Sequence, residues 1–405
     1  MRVLQVHNRY KISGGEWTVF NQEYELLNMH HEVDQLIVEN RERLRSFGSR
    51  LKLIFNTHYN RGSREMVRRR LREFRPDIMH VHNFFPILTP SIFDAAREEG
   101  VPSVLSLHNF RLIHPNGLMY HKGKIDTRSV TGSAYRCVPD GVYRDSVFQT
   151  AVSAHMIEHH RKRGTWNRVP SVFIALSDFS RSKFVEGGLP EERIFVKPNF
   201  IEDPLIRMPE LSKEKKRGNT FLFVGRISQE KGIEDLVRCW MEKEIETELF
   251  IAGDGPLRQA LEAKSRGVES IRWLGHIDQK EILRRLSESR ALIFPTKCFE
   301  GQPLILLEAM SVGCPVITSS IGNPKNLIDD GRNGLHFKTG SIDELFSRIR
   351  MLSEYEEQAR RMGRNARETY LEKYTPEANY TRMTEIYAKA HEWEKKLSER
   401  KVPVQ

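Results

Sequence analysis

The sequence predicts an α/β protein built from two doubly wound domains with parallel sheets. Short apolar strands alternate with helical stretches along the chain, and the alternation occurs in two successive series. A polar stretch at 208–220 (MPELSKEKKRGNT) separates the two series and is typical of a linker. Strands that alternate with helices predict parallel sheets covered by helices on both faces.

Each series supplies its own set of predicted elements. The first has strands at 2–7, 34–39, 77–82, 103–108, 172–176 and 194–199, with helices at 18–29 and 91–100. The second has strands at 220–225, 247–253, 270–275, 291–296, 314–319 and 334–337, with helices at 232–242, 256–267, 279–289 and 303–313. Doubly wound domains bind ligands at the carboxyl ends of their strands, so the cleft between the domains is the expected active site.

The composition is that of a globular protein with an anionic partner. No run among the 405 residues approaches the apolar length of a membrane span, and the start, MRVLQVHNRY, lacks the apolar core of a signal peptide. The cysteines are scattered without a C-x-x-C pair, which predicts neither a disulfide framework nor a structural zinc site and fits a reducing cytoplasm. They are Cys137, Cys239, Cys298 and Cys314. The formal charge of +10 favours nucleic acid, phospholipid or a phosphorylated substrate.

Much of the positive charge lies in one window. Between Arg41 and Arg75 the chain holds twelve Lys or Arg residues and three acids, and apolar residues stand at Leu51, Leu53, Ile54 and Phe55. Such a segment can lie on an anionic membrane surface. It is equally compatible with a solvated helical face. No nucleic-acid motif accompanies the charge and aromatic residues do not interleave with it, so nucleic acid is not the expected partner.

Loops in the second series combine glycine with positive charge at strand ends. The segment FLFVGRISQEKGI gives a strand, then Gly225 and Arg226, then Lys231 at the opening of a helix. Glycine allows close approach of the backbone, and a helix N-terminus favours an anion. Together with the two cations this predicts a diphosphate site. Gly253 and His276 follow the next two strands in the same way.

Two glutamates frame the segment FEGQPLILLE. Glu300 lies in the loop after the strand ALIFPT, Pro303 suits the first turn of the next helix, and Glu308 lies about a turn and a half into that helix. Carboxylates accept hydrogen bonds from hydroxyl groups strongly, and amide groups at the helix start favour an anion. A nucleotide-sugar presents hydroxyl groups at both ends and a diphosphate between them. Surface charges at a helix start are the alternative interpretation.

These motifs carry a resemblance. The segment FEGQPLILLEAMSVGCPVI resembles the E-x7-E signature of retaining glycosyltransferases of the GT-B fold, the family called glycosyltransferase family 4 or group 1. LFVGRISQEKGIEDLV, LFIAGDGPLRQAL, IRWLGHIDQKEI and DDGRNGLHF resemble successive segments of its donor domain. HNRYKISGGEWTVFNQEYELL resembles its N-terminal glycine loop and first helix, and LSDFSRSKFVEGGLPEERIFVKPNFI the approach to its interdomain crossing. The resemblance covers about residues 1–390.

The resemblance implies a role for each matching residue. It implies catalytic roles for His108, Glu300, Arg226 and Lys231. It implies donor binding by Gly14, Gly15, Asn199, Gly225, Arg226, Lys231, Gly253, His276, Ile277, Glu300, Gly301, Gln302, Pro303, Leu304 and Glu308. In this pattern Arg226 and Lys231 bind the diphosphate and Glu308 the ribose. Glu300 contacts the donor sugar, and His108 faces the reacting sugar.

The resemblance also implies the architecture and the chemistry. It implies two Rossmann-like domains facing each other across a cleft, with an acceptor-binding domain at 1–203, a donor-binding domain at 204–377 and a helix at about 378–397 that crosses back to the first. No Asp-x-Asp motif occurs in the chain, so Arg226 and Lys231 are expected to replace a metal ion. No cofactor is expected, because the nucleotide-sugar is a substrate, and a UDP-sugar is favoured over a GDP-sugar.

The sequence therefore predicts a cytoplasmic, metal-independent, retaining glycosyltransferase. The expected acceptor is a glycan or a lipid-linked glycan of cell-surface polysaccharide or glycolipid synthesis, with the protein peripheral on the inner face of the plasma membrane. One alternative is a transferase of glucan or sucrose type with a soluble acceptor. Another is a non-catalytic protein that binds nucleotide-sugars.

Several positions depart from the family pattern or invite another role. Asn109 stands where an aspartate is frequent, Gln302 where a phenylalanine is usual, Ile305 where a second proline is common, and Lys325 where a glutamate is usual. These departures concern the identity of the donor sugar. His155 and His159 share one helical face, but no third ligand is apparent and no metal site is predicted. His80 and His82 share one strand face and either line the cleft or pack in the core.

Overall fold

The computed structural model describes residues 1–9, 14–39, 58–212, 217–243 and 245–399. These residues form two compact units. The first comprises Met1–Met119, Asp126–Asn199 and Asn379–Gln405, and the second comprises Tyr120–Ile125 and Phe200–Ala378.

The first unit is a parallel sheet with helices between its strands. Its elements are β1 (Arg2–Arg9), α1 (Gly15–Asn28), β2 (Glu32–Glu39), α2 (Arg61–Phe74), β3 (Ile78–Asn83), α3 (Ser91–Glu98), β4 (Ser103–Leu107), α4 (Val147–Lys162), β7 (Val172–Ala175), α5 (Asp178–Glu186) and β8 (Ile194–Val196). Among the described residues the strand order is β2-β1-β3-β4-β7-β8, with Val3 opposite Val33 on one side and Ile78 on the other. The strand order reverses between β1 and β3, which is where such sheets bind ligands.

A short antiparallel hairpin leaves this order between β4 and α4. It consists of β5 (Tyr120–His121) and β6 (Lys124–Ile125), and it groups with the second unit.

The second unit repeats the architecture. Its elements are α6 (Pro204–Arg207), β9 (Thr220–Val224), α7 (Ile233–Glu242), β10 (Glu248–Ala252), α8 (Arg258–Lys264), β11 (Ile271–Gly275), α9 (Gln279–Glu288), β12 (Ala291–Phe294), α10 (Leu304–Ser311), β13 (Val316–Ser319), α11 (Gly322–Leu327), β14 (Gly334–Phe337), α12 (Ile342–Glu354) and α13 (Glu356–Lys373). Its parallel strands, as far as the structure describes them, run β11-β10-β9-β12-β13-β14, so the order reverses between β9 and β12. The prediction of two doubly wound α/β domains is confirmed.

Buried apolar side chains cover both faces of the second sheet. On one face, Phe221, Ile251 and Ile293 pack with Ile233 of α7 and with α12. On the other, Leu222 and Leu292 pack with Leu306 of α10 and with α13. Successive strand residues therefore point to opposite buried faces, as a parallel sheet requires.

The C-terminal helix α14 (Pro376–Glu399) belongs to the core of the first unit from Asn379 onward. Its buried residues Met383, Ile386, Tyr387 and Ala390 pack with Val3, Leu27, Ile78, Val104, Val172 and Ile174. These positions recur every three or four residues, so one stripe of the helix meets the sheet.

The described part of the polar stretch 208–220 is not a linker between the units. Residues 208–212 and 217–220 lie inside the second unit, and the boundary falls earlier, between Asn199 and Phe200. The Arg217 guanidinium donates to the backbone carbonyls of Leu286, Ser289 and Val312. Polar composition suggested a linker, but a guanidinium that pairs with backbone carbonyls allows a polar segment to pack.

The basic window is described only in part. Arg41, Arg43, Arg45, Arg50 and Lys52, together with the apolar residues Leu51, Leu53, Ile54 and Phe55, lie outside the described residues. The rest forms α2, in which Arg68 and Arg72 pair with Glu99 and Arg70 pairs with Asp34. In the described ranges, no helix is both long enough and apolar enough to cross a bilayer.

Candidate active site

Three loops of the second unit are joined at the carboxyl edge of the sheet. Gly225, after β9, donates its N–H to Ala252 at 3.0 Å, and Gly253, after β10, donates to Gly275 at 2.7 Å. Gly253 has φ 134°, and a Cβ there would lie 1.9 Å from the Gly225 carbonyl oxygen. Only glycine fits such a close approach. The predicted glycine loops therefore converge at one end of the sheet.

Lys231 is placed by a tight turn. A short 3₁₀ turn, Gln229–Lys231, follows β9, and Gly232 then adopts φ 69° at the start of α7. A Cβ on Gly232 would lie 1.8 Å from the carbonyl oxygen of Pro295, so the turn packs directly on the loop after β12. This packing brings Lys231 to the strand pair at which the strand order reverses.

Lys231 and Glu300 form an ion pair in this loop. The Lys231 Nζ lies 2.7 Å from Glu300 Oε1, and both side chains are largely buried. The Thr296 hydroxyl donates to the same carboxylate oxygen at 3.0 Å. Burial opposes the charge on Lys231, but the Glu300 carboxylate outweighs burial and raises the pKa of Lys231. Lys231 is therefore a fixed positive charge at neutral pH.

Arg226 is an exposed cation at the end of β9. It forms no ion pair with any other residue that the structure describes. An exposed guanidinium directly after β9, followed five residues later by the paired ammonium of Lys231, suits an anion with several oxygen atoms.

The segment Gly301–Leu304 leads into α10. The Gly301 carbonyl accepts a hydrogen bond from the side-chain amide of Asn323, and Gln302 is buried. Pro303 was predicted in the first helical turn, but it is the N-cap residue, because α10 begins at Leu304. The first turn of a helix leaves backbone N–H groups without intrahelical acceptors, so this segment can receive an anion or a hydroxyl group.

Glu308 lies in the second turn of α10, as predicted. Its Oε1 accepts a hydrogen bond from the Gln279 amide at 2.8 Å. Burial raises the pKa of Glu308 to about 7, and the bond from Gln279 opposes that rise. A carboxylate that titrates near neutrality is readily stabilised by further hydroxyl donors.

His276 and Ile277 follow β11 at the same edge of the sheet. His276 is exposed and Ile277 is half-buried. Asp278 then caps α9, because its carboxylate accepts from the Glu281 N–H at 2.8 Å.

His108 follows β4 in the first unit and lies over a buried polar network. Its Nε2 is 3.1 Å from His82 Nδ1, and the two rings stack at 5.3 Å. Burial lowers the pKa of His108 to about 3, although the Glu23 carboxylate opposes this. The imidazole is therefore neutral and can donate or accept one hydrogen bond at each nitrogen.

Beneath His108, a buried ion pair completes the network. Lys197 Nζ lies 2.6 Å from Glu23 Oε1, and the other Glu23 oxygen is 3.5 Å from His82 Nε2. His80 contacts the Tyr387 hydroxyl at 2.9 Å through Nδ1. His80 and His82 are therefore packed core residues, one of the two roles that the sequence left open.

The remaining predicted residues of the first unit lie at its edges. Gly14 is the N-cap residue of α1 and Gly15 its first residue, and both are exposed. Positions 10–13 of the same glycine loop lie outside the described residues. Asn199 is buried, and it is the last residue of the first unit before the chain enters the second unit at Phe200.

Sequence reasoning missed several polar residues of these sites. In the first unit, burial raises the pKa of Glu16 to about 8 against the charge of Arg111 and hydrogen bonds with Asn109 and Asn83. In the second unit the missed residues are Thr296, Gln279 and Asn323, which hold Glu300, Glu308 and Gly301. Gln279 and Asn323 lie on other elements than the residues they contact, so no spacing in the sequence links them. Thr296 is only four residues from Glu300 in the same loop, but a lone threonine there gave no signal of its own.

His155 and His159 gain a third histidine in the structure. Their rings lie 5.5 and 4.5 Å from the ring of His58. Among the described residues, two groups of three His, Cys, Asp or Glu side chains have ligand atoms that all lie within 4.8 Å of one another. Neither group contains His155 or His159.

Two protein-family models match the sequence of the chain. The model of the glycosyl transferases group 1 matches residues 207–369, and that of glycosyltransferase family 4 matches residues 12–203.

Curated relatives match about half of the chain. A lipopolysaccharide 1,6-galactosyltransferase of Salmonella typhimurium is 29% identical over 203 residues, which are 48% of this chain and 56% of that protein. A glycogen synthase of Mycobacterium tuberculosis is 27% identical over 196 residues, 47% of each chain. The sulfoquinovosyl transferase SQD2 of Arabidopsis thaliana is 31% identical over 175 residues, 42% of this chain and 34% of that protein. The chain thus spans about half the length of the first two relatives.

Solved structures match the fold over nearly the whole chain. Anabaena Alr3699/HepE in complex with UDP superposes with a TM-score of 0.66 at 16% identity, covering 96% of this chain and all (100%) of that one. The lipopolysaccharide outer core galactosyltransferase WaaB gives a TM-score of 0.61 at 19% identity, covering 95% and 99%. The two Rossmann-like units are those of the GT-B fold. With the two models matching almost end to end, the chain belongs to glycosyltransferase family 4, the group 1 glycosyltransferases.

Proposed function

We propose that this protein is a retaining glycosyltransferase that moves a sugar from a nucleotide-diphosphate sugar without a metal ion. The observation that carries the proposal is the Lys231–Glu300 ion pair beside Arg226, at the strand reversal of the second sheet. Glu308, on the helix that follows, adds a second carboxylate. The cations suit the diphosphate in the middle of such a donor, and the carboxylates suit the hydroxyl groups at its two ends.

In this proposal each residue has one task. Arg226 and Lys231 bind the diphosphate, and Glu308 accepts hydrogen bonds from the ribose. Glu300, held by Lys231 and Thr296, accepts them from the donor sugar. The backbone from Gly301 to Leu304 passes along the sugar and the phosphate. In the first unit, Gly14, Gly15 and Asn199 are further residues proposed to bind the donor, and His108 is proposed to act on the reacting sugar.

The proposed transfer needs no cofactor, because the bonds broken and formed account for every electron pair and proton. The bond from the anomeric carbon to the phosphate oxygen breaks, and its electron pair stays on the departing nucleoside diphosphate. The acceptor oxygen bonds the anomeric carbon on the same face, and its proton passes to a phosphate oxygen of the leaving group. Arg226 and Lys231 stabilise the charge that develops there, and such preorganised contacts are worth several kcal/mol, about 2.7–4 for one donor.

A UDP-sugar is the donor that the comparisons favour. The Anabaena structure contains UDP, and a second structure of the same protein contains UDP-glucose. Both share only the fold with this chain, so the base and the sugar belong to the proposal.

The proposed acceptor is a glycan or a lipid-linked glycan, with the protein peripheral on the inner face of the plasma membrane. Support comes from the lipopolysaccharide galactosyltransferase among its relatives. The glycogen synthase relative and the fold shared with a sucrose-phosphate synthase favour a soluble acceptor as the second candidate. A non-catalytic nucleotide-sugar-binding protein is the third.

A panel of nucleotide-sugars tests the proposal. The purified protein should gain thermal stability with one donor, because a ligand that binds the folded state raises its melting temperature. It should also hydrolyse that donor slowly, with the same rate whether or not Mg²⁺ or Mn²⁺ is added. Stabilisation without hydrolysis or transfer would support the binding protein. Turnover that requires Mg²⁺ or Mn²⁺ would contradict the metal-free mechanism.

A further inference from the structure

A second polar cluster lies in the first unit, in the long connection between β4 and α4. His114, Asp126 and Cys137 place one ligand atom each within 4.8 Å of the other two. The side chains of His114 and Cys137 are fully buried, and that of Asp126 is 10% exposed. The three residues come from separate parts of a segment with little regular structure. Long segments of this kind in compact domains need something to hold them.

The distances suit a tetrahedral ion. His114 Nε2 lies 3.6 Å from Asp126 Oδ2 and 3.9 Å from Cys137 Sγ. A tetrahedral zinc with bonds of about 2.0–2.3 Å separates its ligand atoms by about 3.3–3.6 Å. The two distances from His114 are therefore within a few tenths of an ångström of those around one ion, and the third, between Asp126 and Cys137, is within 4.8 Å.

The histidine is held in the orientation that a metal needs. Asn116 Oδ1 accepts hydrogen bonds from the N–H groups of Leu118 and Met119 at 2.9 and 3.2 Å, so this atom is the amide oxygen. His114 Nδ1, which lies 2.8 Å from the same oxygen, must therefore carry the hydrogen. A neutral His114 then directs the lone pair of Nε2 toward Asp126 and Cys137. Metal-bound histidines are oriented in this way by an oxygen behind the ring.

We propose that His114, Asp126 and Cys137 bind a Zn²⁺ ion that holds this segment together, with a water molecule reaching the fourth position beside Asp126. Thiolate, imidazole and carboxylate together are ligands that zinc accepts. The ion joins three points of the segment, including Asp126, whose N–H bonds Met119 across the base of the β5–β6 hairpin.

The other group of comparable size does not suit a metal. Glu23, His80 and His82 also lie within 4.8 Å of one another. There Lys197 Nζ is 2.6 Å from Glu23, much as Arg128 donates to both oxygens of Asp126 at 3.0–3.1 Å, so the histidines distinguish the two clusters. His80 uses both ring nitrogens, one toward Tyr387 and one toward Ser106 at 2.8 Å.

The rival explanation is an ion-pair cluster without a metal. Arg128 pairs with Asp126 and with Asp140, so Asp126 already has a cationic partner. If His114 were an imidazolium, it would donate to Asp126, and Cys137 would be a neutral thiol. With zinc, the ion and Arg128 together balance two carboxylates and one thiolate, so both arrangements are neutral. Metal content distinguishes them.

The first test needs no substrate, so it is independent of the proposed activity. Full-length protein purified with zinc present should retain about one Zn²⁺ per chain, and zinc should raise its melting temperature after removal of the metal. Cobalt substitution should give the near-ultraviolet charge-transfer band of a Co²⁺–thiolate bond. Cys137→Ser should abolish this band, whereas Cys239→Ser, at an equally buried cysteine of the second unit, should retain it.

A second set of variants keeps the test decisive if Cys137→Ser does not fold. Replacing Cys239, Cys298 and Cys314 one at a time leaves Cys137 in place, and every variant should keep the cobalt band. His114→Ala should lose stoichiometric zinc. A wild-type protein without bound zinc and without a cobalt–thiolate band would overturn the site in favour of the ion-pair cluster. Loss of the band in Cys239→Ser would also overturn it.

Discussion

At the scale of single residues, Lys231 and Arg226 should carry the largest effects on turnover. In the proposed mechanism, each places a positive charge where the leaving diphosphate gains negative charge. We expect Lys231→Ala and Arg226→Ala each to lower turnover about a hundredfold, the scale of losing one preorganised contact. Lys297→Ala is the matched control. Lys297 is a comparably buried lysine in the loop that carries Glu300, but it pairs with Asp235 at 2.7 Å.

Steady-state kinetics with saturating donor, together with a melting curve for each variant, measure this effect. Lys231→Ala leaves Glu300 without its partner, so its stability must be known before the rate is interpreted. Equal loss of turnover in Lys297→Ala and Lys231→Ala would contradict a specific role for Lys231.

Glu308 should make donor binding depend on pH. Burial raises its pKa to about 7, and only the ionised carboxylate accepts hydrogen bonds from both ribose hydroxyls. The affinity for a nucleotide-sugar should therefore be nearly constant above about pH 8, halve by about pH 7 and fall about tenfold by about pH 6, because a carboxyl with a pKa of about 7 is about one half ionised at pH 7 and one tenth ionised at pH 6. Calorimetric titration at several pH values measures it. Glu308→Gln should bind weakly at every pH, and an unchanged pH profile in that variant would contradict the assignment.

The two glutamates should separate in their kinetic effects. A residue that holds the ribose binds ground state and transition state alike, so Glu308→Gln should raise KM with little change in kcat. Glu300 is proposed to contact the reacting sugar, so Glu300→Gln should lower kcat at saturating donor. The measurement is a full dependence of rate on donor concentration for both variants. The same change in kcat and KM for both would refute the division of roles.

At the scale of elements, the C-terminal helix α14 should stabilise the first unit. Met383 is fully buried against the sheet, so Met383→Ala should lower the free energy of unfolding by about 2–5 kcal/mol. Tyr387→Phe removes only the hydroxyl bonded to His80 and should cost about 1 kcal/mol, or up to 3 if His80 is left unpaired. Lys389→Ala, on the exposed side of α14, is the control. Denaturant titration measures the free energy of unfolding of each variant. If Met383→Ala lowered it no more than Lys389→Ala does, the packing of Met383 against the sheet would be contradicted.

The elements could be predicted where the chain repeats a simple pattern. All strands of both sheets appear in the sequence as short apolar runs between helices, because parallel strands buried on both faces need no polar alternation. Helix α12 was not assigned, although Leu345, Ile349 and Leu352 repeat at helical spacing. The stretch 208–220 was misassigned, because composition alone does not reveal the carbonyls that accept from Arg217.

The candidate site also contains residues that the sequence could predict and residues that it could not. Lys231, Glu300 and Glu308 could be found, since a strand end, a glycine turn and a helix start are local signals. Gln279 could not, and neither could Glu16 with Arg111, because they meet their partners only through tertiary packing. Thr296 lies in the same loop as Glu300, but nothing in that loop marks its hydroxyl as a partner of the carboxylate.

At the scale of the whole molecule, the charge of +10 does not by itself describe a binding surface. Several arginines of α2 are engaged with acids of neighbouring elements: Arg64 with Glu98, Arg68 with Glu99 and Arg70 with Asp34. Exposed ion pairs add little stability, but they neutralise charge that would otherwise face an anionic surface. The positive charge left over includes Arg61, which is exposed and forms no ion pair with any described acid. Among those acids Arg69, whose side chain is 73% exposed, contacts only Glu73, at 3.8 Å on the same helix.

A membrane-associated acceptor predicts that this remaining charge binds anionic lipid. Each Lys or Arg near such a surface contributes about 1 kcal/mol, and the attraction decays within a Debye length. The protein should therefore float with vesicles containing phosphatidylglycerol at low salt, and release as salt rises. The variant Arg61→Glu, Arg69→Glu should bind less while its donor hydrolysis is unchanged. Arg68→Glu, Arg70→Glu is the less suitable test, because it also breaks the pairs with Glu99 and Asp34. If the wild-type protein ignores anionic vesicles at low salt, the acceptor is soluble and α2 is a solvated helical face.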